Sequence, residues 1–145
     1  MAVLYRILPM TSAFASPRTA AYGTALLRIS LGGLFLVHGV TKLLVFTPAG
    51  TAAYFQTLGL PAALAYVSMT LELGLGVCLV LGTYARWVAL LGVPLLLGTI
   101  VAVHGANGFG FSDPGGGWEY PALWTVLLVV QALLGDGAFA LKPSR

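Results

Sequence analysis

Six ionisable residues fall within, or at the ends of, otherwise apolar stretches of the chain: Arg28, His38, Lys42, Glu72, His104 and Glu119. A charged side chain at the centre of a membrane helix costs about 2.5 to 3.5 kcal/mol on the insertion scale, so we expect these groups to pair with one another. Ionisable residues inside a membrane are typical of sites that bind ligands or transfer protons. The chemistry predicted is therefore binding of a small molecule, such as a quinone headgroup, or proton transfer.

The stretch from Arg28 to Lys42, RISLGGLFLVHGVTK, places three of these residues on one face of a helix. At 100° per residue, Lys42 lies about 40° and His38 about 80° around the helix from Arg28. Gly32 and Gly39 occupy the same face. A helix that gathers its cations and glycines on one stripe is expected to turn that stripe toward protein rather than lipid.

The composition indicates a membrane protein. The 145 residues are 59% hydrophobic and 8% charged, with a mean hydropathy of +0.95. A soluble domain carries roughly 25% charged residues to solvate its exterior, so the exterior of this chain is expected to be lipid. A spanning helix needs about 20 apolar residues, which leaves room for four spans with short connections. The predicted fold is an all-α, membrane-spanning four-helix bundle.

The apolar segments predict spans at about residues 21–46, 61–82, 87–104 and 121–139, with tails over residues 1–20 and 140–145. Between the first two spans, residues 51–60 are expected to make a short interfacial turn with Tyr54 and Phe55 at headgroup level. Pro61 is expected at the first position of the second span, and Pro94 is expected to kink the third. The Gly-rich segment after His104 cannot lie in hydrocarbon unless protein covers it.

The basic residues select an orientation. Four spans place both termini on one side, and five cations then share that side: Arg6, Arg18, Arg86, Lys142 and Arg145. Asp113 and Glu119 fall on the other side, so the positive-inside rule puts both termini in the cytoplasm. The triplet Ala13-Phe14-Ala15 is similar to a signal-peptidase site, but the apolar segment before it is short and contains Pro9. The expected location is the bacterial inner membrane.

Several function classes lack support in the sequence. The seven Lys and Arg residues are scattered, without a basic run or interleaved aromatics, so nucleic acid binding is not expected. Cys78 is the one cysteine, which excludes a disulfide framework and a Cys-x-x-Cys motif within this sequence. It is most simply a small buried apolar residue.

Helix depth predicts the partners of the ionisable groups. With a rise of about 1.5 Å per residue, Arg28 lies about two turns and Glu72 about three turns from the cytoplasmic side. We therefore predict an intramembrane Arg28–Glu72 ion pair, with Ser68 and Gly76 permitting close helix approach. A purely structural role for this pair, fixing helix register, is the alternative.

The remaining groups predict a second cluster that faces outward, in which His38, Lys42, His104 and Glu119 bind a ligand or relay protons. Trp118, Tyr120 and Trp124 are expected to surround it as interface aromatics. Haem ligation by His38 and His104 is disfavoured because their depths differ by more than a turn. A metal site from the two histidines with Glu72 and Glu119 is disfavoured because no tight ligand spacing supports it.

The ionisable residues belong to a series of short motifs along the chain. In order they are Arg28-x3-Gly32-x2-Phe35-x2-His38-Gly39-x2-Lys42-Leu43, Gly59-Leu60-Pro61, Glu72-Leu73-Gly74-x-Gly76, Leu81-Gly82-x3-Arg86, His104-Gly105 and Glu119-Tyr120. Together they resemble the DoxX family of small four-span membrane proteins, over about residues 22–137. The resemblance implies association with a membrane thiosulfate:quinone oxidoreductase, or with membrane complexes that handle oxidative and thiol stress. It marks the six ionisable residues as motif positions.

The function predicted is that of a small redox-associated membrane subunit with an outward-facing polar pocket for a quinone-like or other small ligand. The alternative is a non-catalytic scaffold that stabilises a partner enzyme in the membrane. A small-solute transporter is a third hypothesis, although no inverted repeat supports it. The expected partners are the lipid bilayer, membrane or soluble redox proteins and further copies of the chain. Quinone is the cofactor these hypotheses allow.

Overall fold

The computed structural model describes residues 16–144, and within that range all regular secondary structure is helical apart from a single bridge between Thr83 and Lys142. This confirms the predicted all-α class. The expected N-terminal tail lies outside the described residues over positions 1–15, including Arg6 and the Ala13-Phe14-Ala15 triplet. Arg145 lies outside them as well.

Helix α1 spans Pro17–Val40 and continues as a π-helical segment over Thr41–Val45. It starts before the expected position 21 because the Ser16 hydroxyl caps the first turn, accepting a hydrogen bond from the backbone N–H of Thr19, and because Pro17 suits the first helical position. The π-helical segment matters for the site because it carries Lys42. Such segments are rare and often occur at functional positions.

Helix α2, Pro48–Thr57, occupies the region that we expected to be an interfacial turn. The Thr47 hydroxyl accepts from the Gly50 N–H and caps this helix, while Gly59, with a φ of 75°, ends the turn that follows it. Helix α3 then spans Ala63–Leu81, so Pro61 precedes the helix instead of starting it.

Helix α4 spans Ala85–Thr99, with Pro94 inside it, and continues as a π-helical segment over Ile100–His104 and a 3₁₀ turn over Gly105–Asn107. Helix α5 spans Glu119–Leu134 and ends before the expected position 139. It ends there because Gly135 and Gly137 adopt φ values of 90° and 70°, which break a right-handed helix.

In the described part of the chain, three helical segments are long and apolar enough to cross a membrane: Pro17–Val45, Ala63–Leu81 and Ala85–Asn107. Their mean hydropathies are 1.5, 1.9 and 2.1, and α5 is a shorter apolar helix. Large apolar side chains on these helices are also widely exposed, with Leu26, Val101 and Leu133 among them. Exposed apolar surface of this kind needs lipid around it, which indicates a multi-pass membrane protein.

Helices α1, α3, α4 and α5 pack as two antiparallel pairs. Helix α1 packs most extensively on α3, and α4 packs most extensively on α5, while smaller contacts join α3 to α4 and α1 to α5. The first pair approaches closely at Gly32 and Gly76, where a methyl group on Gly76 would lie 2.7 Å from Leu36 Cγ and 2.9 Å from the Gly32 carbonyl oxygen. Buried apolar side chains fill the space between the pairs: Leu31, Phe35, Leu75, Leu79, Ala85, Ala89, Leu96, Trp124, Leu128 and Ala132.

Arg28 joins the two pairs by hydrogen bonds at one end of the molecule, which we call the closed end. Its side chain is fully buried and donates hydrogen bonds to the carbonyl oxygens of Leu79 at 2.9 Å, Val80 at 3.2 Å and Ala138 at 3.0 Å. The first two carbonyls end α3, where unpaired carbonyls and the helix dipole favour a cation. The third belongs to the segment after α5, so one guanidinium joins both pairs.

The segment after α5 is fastened to the same end by further hydrogen bonds. Asp136 Oδ1 accepts from the Ala85 N–H at 2.9 Å, which caps the start of α4, and Asp136 Oδ2 accepts from the Ser144 N–H at 2.8 Å. The Tyr84 N–H donates to the Lys142 carbonyl oxygen at 2.8 Å. The opposite, open end carries α2, the start of α3 and the loop between α4 and α5.

We predict that Gly76→Ala destabilises the fold whereas Gly74→Ala does not. A methyl group on Gly76 would overlap Leu36 and the backbone of α1, and overpacking of this kind costs about 1 to 3 kcal/mol. Gly74, two positions away on the same helix, has nothing within 4 Å of an added methyl group. Reversible unfolding in mixed detergent micelles measures both variants, and equal stabilities would contradict the close approach of α1 and α3.

Candidate functional site

A cavity of about 1350 Å³ lies between the two helix pairs toward the open end. Its lining comes from α1, α2, α3, α4, α5 and the loop before α5. Most lining residues are apolar or glycine, and the polar or amphipathic ones are His38, Lys42, Thr51, Tyr54, Ser68, Glu72, Thr99, His104, Tyr120 and Trp124. An apolar cavity with a few polar groups is the usual form of a small-molecule site.

Lys42 and Glu72 form an ion pair in this cavity, with Nζ and Oε1 separated by 2.5 Å. Both lie far from the closed end, Lys42 in the π-helical segment of α1 and Glu72 on α3. Gly39 makes this approach possible, because a methyl group there would lie 3.3 Å from Glu72 Cβ and 2.9 Å from the Leu73 side chain. The second carboxylate oxygen, Glu72 Oε2, is buried and has no hydrogen-bond partner among the described residues.

The predicted Arg28–Glu72 pair is wrong. Because α1 and α3 are antiparallel, Arg28 lies level with the end of α3, and its guanidinium donates to the carbonyl oxygens of that end. Glu72 lies seven residues before Leu79, or about 10 Å along the helix axis, and there it meets Lys42. The predicted depths were counted from the span ends, which does not fix the register between α1 and α3, and the prediction also omitted backbone carbonyls as partners for arginine.

Trp124 forms an aromatic wall on the α5 side of the cavity. Its ring centroid lies 4.7 Å from that of Phe35, 5.3 Å from that of His38 and 5.9 Å from that of Tyr120. The indole is buried, yet its Nε1–H donor has no hydrogen-bond partner within residues 16–144. His38 is exposed and lines the cavity beside this wall.

His104 lines the cavity from the π-helical end of α4. Its Nδ1 lies 2.8 Å from the carbonyl oxygen of Gly116. Because a carbonyl oxygen only accepts, Nδ1 carries the hydrogen, and Nε2 of the neutral ring is then an acceptor. Asn107 holds the same loop by donating to the carbonyl oxygens of Gly115 and Gly116.

The structure places Glu119 and Trp118 outside the cavity lining. Glu119 is exposed, and its Oε2 accepts a hydrogen bond from the Phe111 N–H at 3.0 Å, so it holds the loop before α5. Trp118 packs edge-on against Phe109 with ring centroids 4.8 Å apart. Of the predicted outward cluster, His38, Lys42 and His104 therefore share one cavity, together with Glu72 from the predicted inner pair.

Sequence reasoning missed two contributions to the site. Thr51, Tyr54 and Phe55 line the cavity from α2, and Thr47-Pro48 followed by Leu58-Gly59 is a helix start and stop signal that could have revealed this helix. Ser68 and Thr99 line it from facing helices without any distinctive spacing.

Within the part of the chain that the structure describes, no three His, Cys, Asp or Glu side chains come close enough to hold a metal ion. Cys78 is half-buried on α3, outside the cavity lining.

Comparison with known proteins assigns the family. The model of the DoxX family matches residues 23–105, which include α1 from Gly23 onward and all of α2, α3 and α4. The chain belongs to the DoxX family. This DoxX protein is also 35% identical over 121 residues to the protein named "Putative oxidoreductase CatD" from Bacillus subtilis (strain 168), an alignment that covers 83% of this chain and 85% of that protein. No solved structure matches it significantly.

We predict that Glu72 is energetically coupled to Lys42 and not to Arg28. In a double-mutant cycle in detergent micelles, Lys42→Met and Glu72→Gln should show a coupling free energy above about 1 kcal/mol, because each single change leaves a buried polar group without its partner. Arg28→Lys combined with Glu72→Gln should be additive within about 0.5 kcal/mol. Coupling in the second cycle and additivity in the first would restore the Arg28–Glu72 pair.

Proposed function

We propose that this DoxX protein is a small redox-associated subunit that binds a quinone-like ligand in the cavity between its helix pairs. It spans the bacterial inner membrane four times, with α5 as the fourth span and both termini in the cytoplasm. The cavity then opens toward the outer half of the membrane. The name of the Bacillus relative, which includes the word oxidoreductase, agrees with a redox role.

Two unpartnered polar atoms carry the proposal. Glu72 Oε2 is an acceptor and Trp124 Nε1 is a donor, and both belong to buried residues of one cavity lining. Leaving such a group unpaired costs about 1 to 3 kcal/mol, so a bound ligand that offers one acceptor and one donor would recover that free energy. Quinones offer carbonyl acceptors, and quinols offer hydroxyl donors.

Two groups of the cavity lining, Glu72 and His104, suit proton transfer. Reduction of a quinone to a quinol takes up two electrons and two protons, and oxidation releases them. A carboxylate oxygen of Glu72 and Nε2 of His104 are acceptors in the cavity lining, and each can take a proton from a quinol hydroxyl. The electrons pass to or from a partner redox protein, in the membrane or bound at its surface.

The Lys42–Glu72 pair supports this role in a second way. Among the described residues, Glu72 is the only carboxylate in the cavity lining. Its Oε1 forms the ion pair with Lys42, whereas its Oε2 has no partner within that part of the chain. An anion placed in this way attracts a hydroxyl donor more strongly than a neutral acceptor does. Quinol is therefore expected to bind more tightly than quinone.

The fourth span rests on α5, whose 16 residues extend about 24 Å. A hydrocarbon core of about 30 Å can thin to accommodate a helix of this length, at a modest cost. Arg18, Arg86 and Lys142 all lie at the closed end, which supports placing that end in the cytoplasm.

The topology predicts which cysteines a membrane-impermeant maleimide reaches in spheroplasts. With Cys78 replaced by alanine, Ser112→Cys in the loop before α5 should be labelled, and Pro143→Cys near the C-terminal end of the described chain should be labelled only after lysis. Both positions are exposed, so accessibility within the protein does not separate them. Labelling of Pro143→Cys in intact spheroplasts would contradict the proposed orientation and place the C-terminal end outside the cytoplasm.

Trp124→Phe is expected to weaken binding of decylbenzoquinol about tenfold, because the phenyl ring keeps the aromatic wall and lacks the Nε1–H donor. Trp118→Phe is the matched control, since Trp118 lies outside the cavity lining. Calorimetric titration of the protein in lipid nanodiscs measures both, with melting temperatures confirming that each variant is folded. If quinol and quinone bind to neither the wild type nor the control, the chain is better explained as a non-catalytic scaffold.

A further inference from the structure

The cavity is larger than a quinone headgroup requires. Sites for drug-sized ligands measure about 300 to 1,000 Å³, and a single-ring headgroup lies at the small end of that range. The cavity measures about 1350 Å³, so a headgroup alone leaves most of it unfilled. The remaining space must accommodate something other than the head.

The lining is divided into a polar and an apolar part. Three ionisable groups of the lining, His38, Lys42 and Glu72, come from the α1/α3 pair, while His104 comes from the π-helical segment after α4 and Trp124 comes from α5. The first half of α3 and the same π-helical segment also supply apolar residues, among them Leu64, Val67 and Val101. We call these three residues the side gap.

The side gap faces the bilayer. Leu64 is 43% exposed, Val67 50% and Val101 84%, although all three line the cavity. Helices α3 and α4 are joined by a tight turn at the closed end, whereas α2 packs at the open end on α3 and on the π-helical segment of α1. Because α3 and α4 both belong to segments long enough to span a membrane, exposed valines and leucines on them contact lipid tails.

We infer that the cavity is filled sideways from the bilayer, through the side gap, by an amphiphile with a hydrogen-bonding head and a long apolar tail. The head lies against Glu72 and Trp124, and the tail lies along Leu64, Val67 and Val101. The identity of the head rests on the proposed function. The route and the tail rest on the size, the division and the exposure of the lining.

The experiment narrows the side gap and leaves the polar part unchanged. Val101→Trp places a large ring in the gap, and Val126→Trp is the matched control, because Val126 is 58% exposed on α5 and does not line the cavity. Binding of decylbenzoquinol and of the same quinol without its tail is titrated calorimetrically in nanodiscs. Val101→Trp should weaken the tailed ligand about tenfold relative to the wild type and leave the tail-less one unchanged, whereas the control changes neither.

A second measurement tests the side gap without any quinol. Nanodisc phospholipids that carry a diazirine at the end of an acyl chain are photolysed, and the crosslinked residues are mapped by mass spectrometry. Crosslinks to Ser68 and Thr99, which line the cavity, are expected in the wild type and in Val126→Trp and should be lost in Val101→Trp.

The two measurements separate the two proposals. If the wild type binds neither quinol but its cavity residues crosslink to acyl chains, the proposed function fails and the sideways route stands. If both quinols bind and Val101→Trp weakens them equally or not at all, the route fails while the proposed function stands. Crosslinks confined to residues outside the cavity lining also overturn the route.

Discussion

The buried guanidinium of Arg28 is the interaction on which the arrangement of the helices depends. It joins the carbonyl end of α3 to the segment after α5, and it does so from the middle of α1. Gly82 leaves the room it needs, since a methyl group there would overlap the guanidinium. A buried cation is costly, and here three carbonyls and the end of a helix dipole offset that cost. Arg28 therefore fastens the closed end and takes no part in the cavity.

Fastening at one end allows the helix pairs to part at the other. Within the α1/α3 pair, Gly39 brings Glu72 to Lys42, while α5 presents Trp124 and α4 presents His104 across the cavity. Charged and aromatic groups thus face one another over a space that lipid-exposed residues border. The polar groups of the cavity therefore lie next to the bilayer. A lipid-soluble redox carrier is dissolved in that bilayer.

Much of this followed from the sequence, for physical reasons that can be named. The apolar segments predicted the long helices, and helical spacing placed Lys42 and His38 on one stripe of α1, from which both line the cavity. The partner of Arg28 did not follow, because a helix period gives a face but not the register between two helices, which the contact of Gly32 with Gly76 fixes here. Glu119 accepts a hydrogen bond from a loop N–H, and Asp136 accepts one from the first turn of α4. These bonds depend on backbone geometry that residue spacing does not predict.

The central claim is that a ligand head occupies the space between Glu72 and Trp124. A density map of the protein in nanodiscs made from native membrane lipid, at a resolution that shows side chains, tests it most directly. The claim predicts density that does not belong to the protein within hydrogen-bond distance of Glu72 Oε2 and Trp124 Nε1, continuing past Val101. A collapsed cavity, in which protein groups satisfy both of those atoms, would contradict it.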